Sequence, residues 1–462
     1  MESSSLGTIL KKILIIGAGW AGLSAAVQAT QRGANVTLIE ARNELGGRAR
    51  SVLLNNHILD NGQHILIGAY KATLDLMSSI GLNPKELLIR KRMSLKDFND
   101  QGFELSGPDS FAPALQFLLA TLRCSQWSLK DKYSLLRFAV KWVIRGFKCG
   151  QENSVKDICS GVSNRVIETL ITPLCLSALN SPIEISSGQI FLRVLRDAMF
   201  SGPGSSDFLI PRCDLSELLP KACEKWLLHK GCTIQKGRRI ESLIDQLDTL
   251  KDAQKPDAII IACDPSNAAR LIKSINPQWA GVVEGIEYTQ IASTYIRCTD
   301  ANFKGLPQPL IMLRSDASNA SNASNASNAG EADKGVGIKA PAQFVFDRGY
   351  LFKGNLSPGS ADSNSGILSF VSSYATLTNE QISSLVMEQA RQELGLTKLE
   401  HLGTINERRA TFCCKPGLVR PGPQISDQLW ACGDYVAGPY PSTLEGAVLS
   451  GVAVIQKVMG SC

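Results

Sequence analysis

Short unbroken apolar runs bracket a helical stretch at the start of the chain. Lys12-Ile13-Leu14-Ile15-Ile16 is one run and Val36-Thr37-Leu38-Ile39 another, each suited to a strand buried on both faces of a parallel sheet. Between them Ala21 to Arg32 is expected as a helix, which Gly33 stops. From Pro108 to Gly150 the apolar positions recur at about 3.6 residues, clearest from Phe111 to Leu119. Helix signals continue over Val155–Leu179, Gln189–Ala198 and Leu215–Leu228. Strand-like alternation returns at Cys232–Gln235 and Arg239–Ile244, and Asp257–Cys263 is a buried-strand run ending at Asp264-Pro265. Tyr295–Arg297, Gln343–Phe346 and Gly366–Ser373 are expected as strands of a separate sheet, and Leu444 opens a last helix. A Ser-Asn-Ala repeat from Ser318 to Ala329 has no apolar periodicity and reads as a flexible surface insert over 316–335. Its Asn-Ala-Ser triplets match glycosylation acceptors, a match expected to be empty without a secretory route.

The turn after the first run carries candidate chemistry. In Gly17-Ala18-Gly19-Trp20-Ala21-Gly22, Gly17 permits the tight turn, Gly19 lets backbone approach a pyrophosphate, and Gly22 lets the helix pack closely on the strand. The helix starting at Ala21, just after Trp20, would point its amides and positive end at phosphate. Glu40 ends the second run, where a carboxylate can accept from both ribose hydroxyls and repel a 2′-phosphate, which disfavours NADP. Strand, glycine loop, helix, strand and terminal acid in this order form a strong dinucleotide signature. After it, Ala41, Arg42, Gly47 and Arg48 add backbone donors and fixed positive charge.

Composition bounds the answer. At 462 residues, 44% hydrophobic and 19% charged, the chain is long enough for two folded domains. A net charge of +6 suits weak attraction to an anionic surface and is too diffuse to argue for nucleic acid. Thirteen cysteines include no Cys-x-x-Cys pair, and adjacent Cys413-Cys414 suits neither zinc nor an ordinary disulfide, so no metal site is expected. The odd count and lack of a secretory leader point to a reducing, cytoplasmic setting. No stretch reaches the roughly 18 apolar residues of a membrane span.

Glu40-Ala41-Arg42 followed by Gly46-Gly47-Arg48 resembles the stretch after the second strand in the flavin amine oxidase and phytoene desaturase superfamily. Gly433-Asp434 resembles that superfamily's strand-end Gly-Asp, whose carboxylate holds the ribityl chain, and Thr443-Leu444-Glu445-Gly446-Ala447 resembles its flavin-facing helix start. The resemblance implies FAD as cofactor and an α/β fold. That fold has a Rossmann-like, glutathione-reductase-type FAD-binding domain, discontinuous over 1–95, 225–275 and 400–462. A mixed helical and β-sheet substrate domain would cover 96–224 and 276–399. Five further segments are similar to the hydroxysqualene dehydroxylases, a bacterial family: Asp60–Tyr70, Pro173–Asn180, Gln189–Asp197, Asp207–Arg212 and Arg408–Phe412. This implies reductive removal of an allylic hydroxyl from a C30 isoprenoid, with hydride from reduced flavin and a proton donor at the leaving oxygen. The reaction needs a dry chamber, which the helix-rich middle could supply.

The loop Asp60-Asn61-Gly62-Gln63-His64 resembles one that passes the flavin ring, so Gly62, Gln63 and His64 are expected at the cofactor. Ile240 is added to that set. His64 and Asp60 are candidate proton donors, with Asp207 a third; the alternatives are that Asp60 braces the loop and His64 bonds backbone or cofactor. Two other readings stay open, a carotene desaturase of the same fold and a non-catalytic prenyl-lipid carrier. With no second GxGxxG, an external electron donor is expected. Lys130–Lys148, with Arg137, Lys141, Arg145 and Lys148 along one stripe among aromatic residues, fits either a core helix with a solvated basic face or peripheral contact with an anionic bilayer.

Overall fold

A computed structural model describes residues 10–248, 255–314, 340–353, 364–374 and 377–460; the Ser-Asn-Ala insert lies outside them. Five parallel strands build the first sheet, in the spatial order Thr233–Gln235, Asn35–Ile39, Lys12–Ile16, Ala258–Ile261 and Leu429–Ala431. Strands from three distant stretches of sequence thus lie side by side. Ile13, Ile15, Ile260 and Ile261 are buried, as both-face coverage requires. One face packs on helix Trp20–Gln31 and on the last helix, Leu444–Met459. The other merges into a core with the helical middle, where Phe138, Trp142, Leu170 and Phe191 are buried.

The second sheet is antiparallel throughout, in the order Leu310–Met312, Phe344–Asp347, Ile367–Ser373, Tyr288–Cys298 and Leu399–Phe412. Helix Asn379–Leu394 covers it with Ile382, Val386, Ala390 and Leu394. Leu399–Phe412, most of which lies beyond the boundary expected at 400, pairs along Tyr288–Cys298 in this second sheet.

Other expectations shift for local reasons. Arg239–Ile244 is not a strand, and a helix begins at Leu243. The backbone just before it is already committed, since Gly237 N donates to Arg42 O and Arg238 N to Glu40 O, both at 2.9 Å. Pro108–Gly150 holds two helices, Pro113–Arg123 and Leu129–Ile144, the second started by a Ser128/Asp131 capping box. Val155–Leu179 breaks where Gly161 takes φ +86° and Ser163 caps a new turn; a π-turn at Ile167–Ile171 then leads into Thr172–Leu179. Leu215–Leu228 divides at Pro220, which opens the helix Pro220–His229. Among the described residues no helix is long and apolar enough to cross a membrane.

Candidate active site

A cavity of about 830 Å³ runs from the glycine turn into the helical middle. At the turn, Gly17 has φ +109°, and a Cβ there would meet the Ala262 backbone at 2.7 Å. A Cβ on Gly22 would lie 1.9 Å from Gly17 O, so Gly22 serves close packing behind the wall rather than lining the cavity. Gly47, at φ +64°, would bring a Cβ within 3.1 Å of Gly19 Cα; glycine at both positions keeps this part of the wall free of side chains. Helix Trp20–Gln31 begins with Gly19 as N-cap, so no side chain caps its amides and no acid sits in its first turn. Its positive end is left for an anion.

Glu40 ends its strand with the carboxylate already engaged by the loops around it. Oε2 accepts from Ala18 N at 2.7 Å and Oε1 from Arg42 N at 3.0 Å. A carboxylate has about four acceptor sites, so capacity for ribose hydroxyls remains. Seven arginines against four carboxylates line the cavity. Burial and then the neighbouring Arg42 hold the Arg50 pKa below its ordinary value, with Glu44, Glu407 and Glu40 opposing them. Trp20, Ala21, Ala41 and Ile240 line the same end.

Segments far apart in the sequence meet across this cavity. Arg48 Nη2 bonds Asp434 Oδ1 at 2.7 Å and Arg48 Nη1 donates to Ala410 O at 2.9 Å. Burial acts to lower the Arg48 pKa, and Asp434 more than offsets it, leaving it raised. Thr443 caps the last helix by accepting from Gly446 N at 2.9 Å, and Gly433, Asp434, Thr443 and Leu444 all line the cavity. These features fit an elongated dinucleotide: an uncapped helix end and guanidinium groups for the diphosphate, Glu40 for a ribose, and a second ridge from the chain's end for the remainder.

Gly62, Gln63 and His64 also reach the wall. His64 is half-buried, with Nδ1 3.1 Å from Gly62 O; desolvation among its neighbours lowers its pKa, and the carbonyl contact opposes this more weakly. Beyond it the lining becomes apolar, with Met93, Leu174, Leu179, Phe191, Leu195, Phe208, Phe344 and Phe346. The helical middle and the antiparallel sheet share in building this chamber.

Besides Gly22, three expected site residues lie off the cavity wall. Asp60 is a buried strut outside the cavity wall: Oδ2 pairs with Arg348 at 2.8 Å, while Oδ1 accepts from Leu215 N at 2.8 Å and Ser51 Oγ at 3.0 Å. Its lone pairs are spent on holding a hairpin to two other segments. Asp207 pairs with Arg90 at 2.9 Å off the cavity, although the next residue, Phe208, lines it. Glu445 turns away from the cavity, accepting from Ala72 N at 3.0 Å, Thr73 N at 2.9 Å and Thr73 Oγ1 at 2.7 Å. It thereby supplies the N-terminal cap of helix Lys71–Ser79, whose own N-cap, Tyr70, makes no side-chain cap bond. Asn180 and Ser206, both in the wall, were not expected as site residues, because neither stands in a local pattern that marks a site.

Comparison with known proteins agrees with this geometry. Over 462 aligned residues the chain is 25% identical to a hydroxysqualene dehydroxylase from Rhodopseudomonas palustris, covering 98% of this chain and 99% of that one. It is 24% identical to a zeta-carotene desaturase from Zea mays over 97% of this chain and 84% of that protein. Among solved structures, an oxidoreductase from Methanosarcina mazei superposes with a TM-score of 0.67 at 15% identity, over 96% of this chain and all of that one. A reduced UDP-galactopyranose mutase gives 0.63 at 15% identity, over 98% and 95% of the two chains. The model of the flavin containing amine oxidoreductases matches residues 20–459. With that match spanning nearly the whole length of a fold already shaped around a dinucleotide, the chain belongs to the flavin-containing amine oxidoreductase family and is an FAD-dependent oxidoreductase.

Proposed function

We propose that the chain removes an allylic hydroxyl from a C30 isoprenoid, converting hydroxysqualene to squalene. The balance is one alcohol, one hydride and one proton giving one hydrocarbon and one water. The observation that carries this reading is a single cavity, polar and arginine-lined at the glycine turn and apolar at its far end. Two hydroxysqualene dehydroxylases align over nearly all of the chain, the second, from Sinorhizobium fredii, at 25% identity over 96% of both proteins. FAD, once bound, supplies hydride chemistry at its ring. In this reading Gly17, Gly19 and the first amides of the following helix hold the diphosphate, and Glu40 holds the adenosine ribose. Asp434, Thr443 and Leu444 hold the ribityl and ring end, and His64 gives the proton to the departing oxygen. The leucine and phenylalanine wall excludes water, which would otherwise trap a developing allylic cation.

The cofactor half comprises 1–95, 225–275 and the segment after Phe412, and the substrate half the remainder. An external donor reduces the flavin. The basic helix Leu129–Ile144 brings the protein to an anionic bilayer, where such a substrate resides. The maize relative supports a second reading, oxidative desaturation of a polyene, and one experiment separates the two. Anaerobic incubation of the photoreduced holoenzyme with hydroxysqualene, followed by chromatography, should yield squalene at one equivalent per flavin. Recovery of unchanged alcohol, with desaturated product from a polyene under oxidising conditions, would overturn the dehydroxylation.

A further inference from the structure

A second cavity, of about 480 Å³, lies against helix Gly188–Phe200 on the face turned away from the substrate chamber. Arg193 and Arg196 come from that helix, Lys148 from the turn after helix Leu129–Ile144, and Arg420 from the segment before strand Leu429–Ala431. All four line the cavity, and no carboxylate does. The acid that meets any of them is Asp197, buried behind the wall. Its Oδ2 accepts from Arg193 Nε at 2.6 Å and its Oδ1 from Arg196 Nε at 2.9 Å. Arg420 donates to the Val436 and Gly438 carbonyls, and Lys148 makes no ion pair among the described residues. Four cations thus share one carboxylate. Other contacts hold them in place. Gln189 pins the turn that carries Lys148, accepting from Cys149 N at 2.9 Å and donating to Phe147 O at 3.0 Å. Tyr440, whose ring centre lies 5.7 Å from Arg193 Cζ, donates to Asp197 Oδ2 at 2.5 Å. Phe147 and Tyr440, both in the lining, hold left-handed backbone at φ +57° and +54°, which bulky side chains rarely adopt. Such strain persists only where surrounding contacts over-determine it, and it gathers at ligand clamps.

Clustered guanidinium and ammonium groups repel one another, and a phosphate group offers enough acceptor oxygens to satisfy several of them together. The cavity opens where Lys148, Gly438 and Pro439 are exposed. Its surroundings there are apolar: exposed Phe200 packs on Phe147, and exposed Ile144 stands just before Gly146 of the lining. Cations inside and uncovered apolar side chains at the mouth match a phosphate ester that carries acyl chains better than a free anion. We propose that this cavity binds one anionic phospholipid, its headgroup phosphate held among Lys148, Arg193, Arg196 and Arg420 and its acyl chains lying over Ile144 and Phe200. This is a discrete site, separate from diffuse attraction along Arg137, Lys141 and Arg145, which do not line it. The inference stands apart from the substrate reading and holds whatever the chamber takes. Val194 lines both cavities, so a headgroup bound here would hold the substrate chamber beside the bilayer.

Calorimetric titration of the flavin-loaded protein with dihexanoyl phosphatidylglycerol, kept below its micelle concentration, tests this without a membrane. The lipid should saturate at one molecule per chain. Inorganic phosphate, which cannot use the apolar mouth, should bind about tenfold more weakly or worse. Dihexanoyl phosphatidylcholine, whose headgroup carries its own cation, should also bind about tenfold more weakly or worse. Lys148→Glu reverses the charge of an exposed side chain and should weaken the phosphatidylglycerol roughly tenfold or more, with flavin content unchanged. Arg420→Gln, which keeps a donor for one of the two carbonyls, should weaken it about fivefold. If that variant loses flavin, Lys148→Glu decides alone. Arg137→Gln combined with Lys141→Gln removes charge from the stripe outside the cavity and should leave this affinity within about twofold. The proposal is overturned by inorganic phosphate or phosphatidylcholine binding as tightly as phosphatidylglycerol, or by uptake of several lipids without saturation. Equal weakening by Lys148→Glu and by the stripe variant, or no weakening by Lys148→Glu, overturns it as well.

Discussion

His64 and Asp60 are four positions apart in one loop, and their surroundings give them opposite tasks. Asp60 is locked by Arg348, Leu215 and Ser51, while His64 faces the cavity with its Nδ1 against a neighbouring carbonyl. Burial dominates the His64 environment and lowers its pKa below the ordinary 6.5. The imidazolium is the form that can donate, and it is populated only below that lowered value. Turnover of the pre-reduced enzyme should therefore fall as pH rises through a point under 6.5, rather than at it. His64→Ala should retain flavin, lose turnover by about 10²–10⁴-fold and lose that pH limb, as expected for a general acid. A variant with full activity, or an unchanged pH profile, would remove His64 from the chemistry. The sequence brought both residues forward but could not separate them, because the partner that disarms Asp60 lies 288 positions away. Glu445 carries the same lesson, since its role is decided by helix Lys71–Ser79, which no local pattern links to it.

At the scale of elements, the central parallel strands Lys12–Ile16, Asn35–Ile39 and Ala258–Ile261 were legible because apolar runs buried on both faces have few other uses. Leu399–Phe412 was not, since an edge strand with one wet face mixes polar and apolar residues; only its Arg408–Phe412 end stood out, by family likeness. The joint between the first and last helices was also hidden, and it is what brings Thr443 and Leu444 to the glycine turn. Gly451 makes that joint: a Cβ there would lie 2.4 Å from Ala21 O and 2.9 Å from Ala25 N. Ser24 Oγ donates to Val448 O at 2.9 Å across the same contact. Gly451→Val should push the helices apart, costing about 1–3 kcal/mol of stability by overpacking and lowering the flavin content of purified protein. Calorimetry and the ratio of flavin to protein absorbance measure both. A variant that is yellow and as stable as wild type would show that the last helix can shift without loosening the cofactor.

For the whole molecule, the question is how a water-insoluble substrate reaches a cavity walled off by helices. Helix Leu129–Ile144 buries Leu135, Phe138 and Trp142, yet Leu129 is 84% and Ile144 79% exposed, and Tyr133, Val140 and Val143 are exposed as well. The preceding helix adds exposed Leu115, Leu118 and Leu122. Lys141 and Arg145 lie over the Trp142 ring at 4.7 and 5.6 Å, keeping cations beside the apolar surface. Just after this helix, Phe147 packs edge-on against Phe200 at 5.5 Å, at the end of helix Gly188–Phe200, whose Phe191 and Leu195 line the chamber. The exposed surface and the substrate wall are thus mechanically adjacent. An apolar face flanked by cations gains from acyl-chain burial and from anionic headgroups together, and only the second term is screened by salt. Replacing Arg137, Lys141, Arg145 and Lys148 with glutamine should reduce co-sedimentation with phosphatidylglycerol-containing vesicles by about tenfold or more, and should abolish its salt dependence. Residual binding to neutral vesicles should persist, because the leucines and valines remain. Turnover should fall when substrate is presented in vesicles and stay unchanged when it is presented in detergent. Sedimentation identical to wild type would leave these four residues as an ordinary solvated face and require the substrate to enter elsewhere.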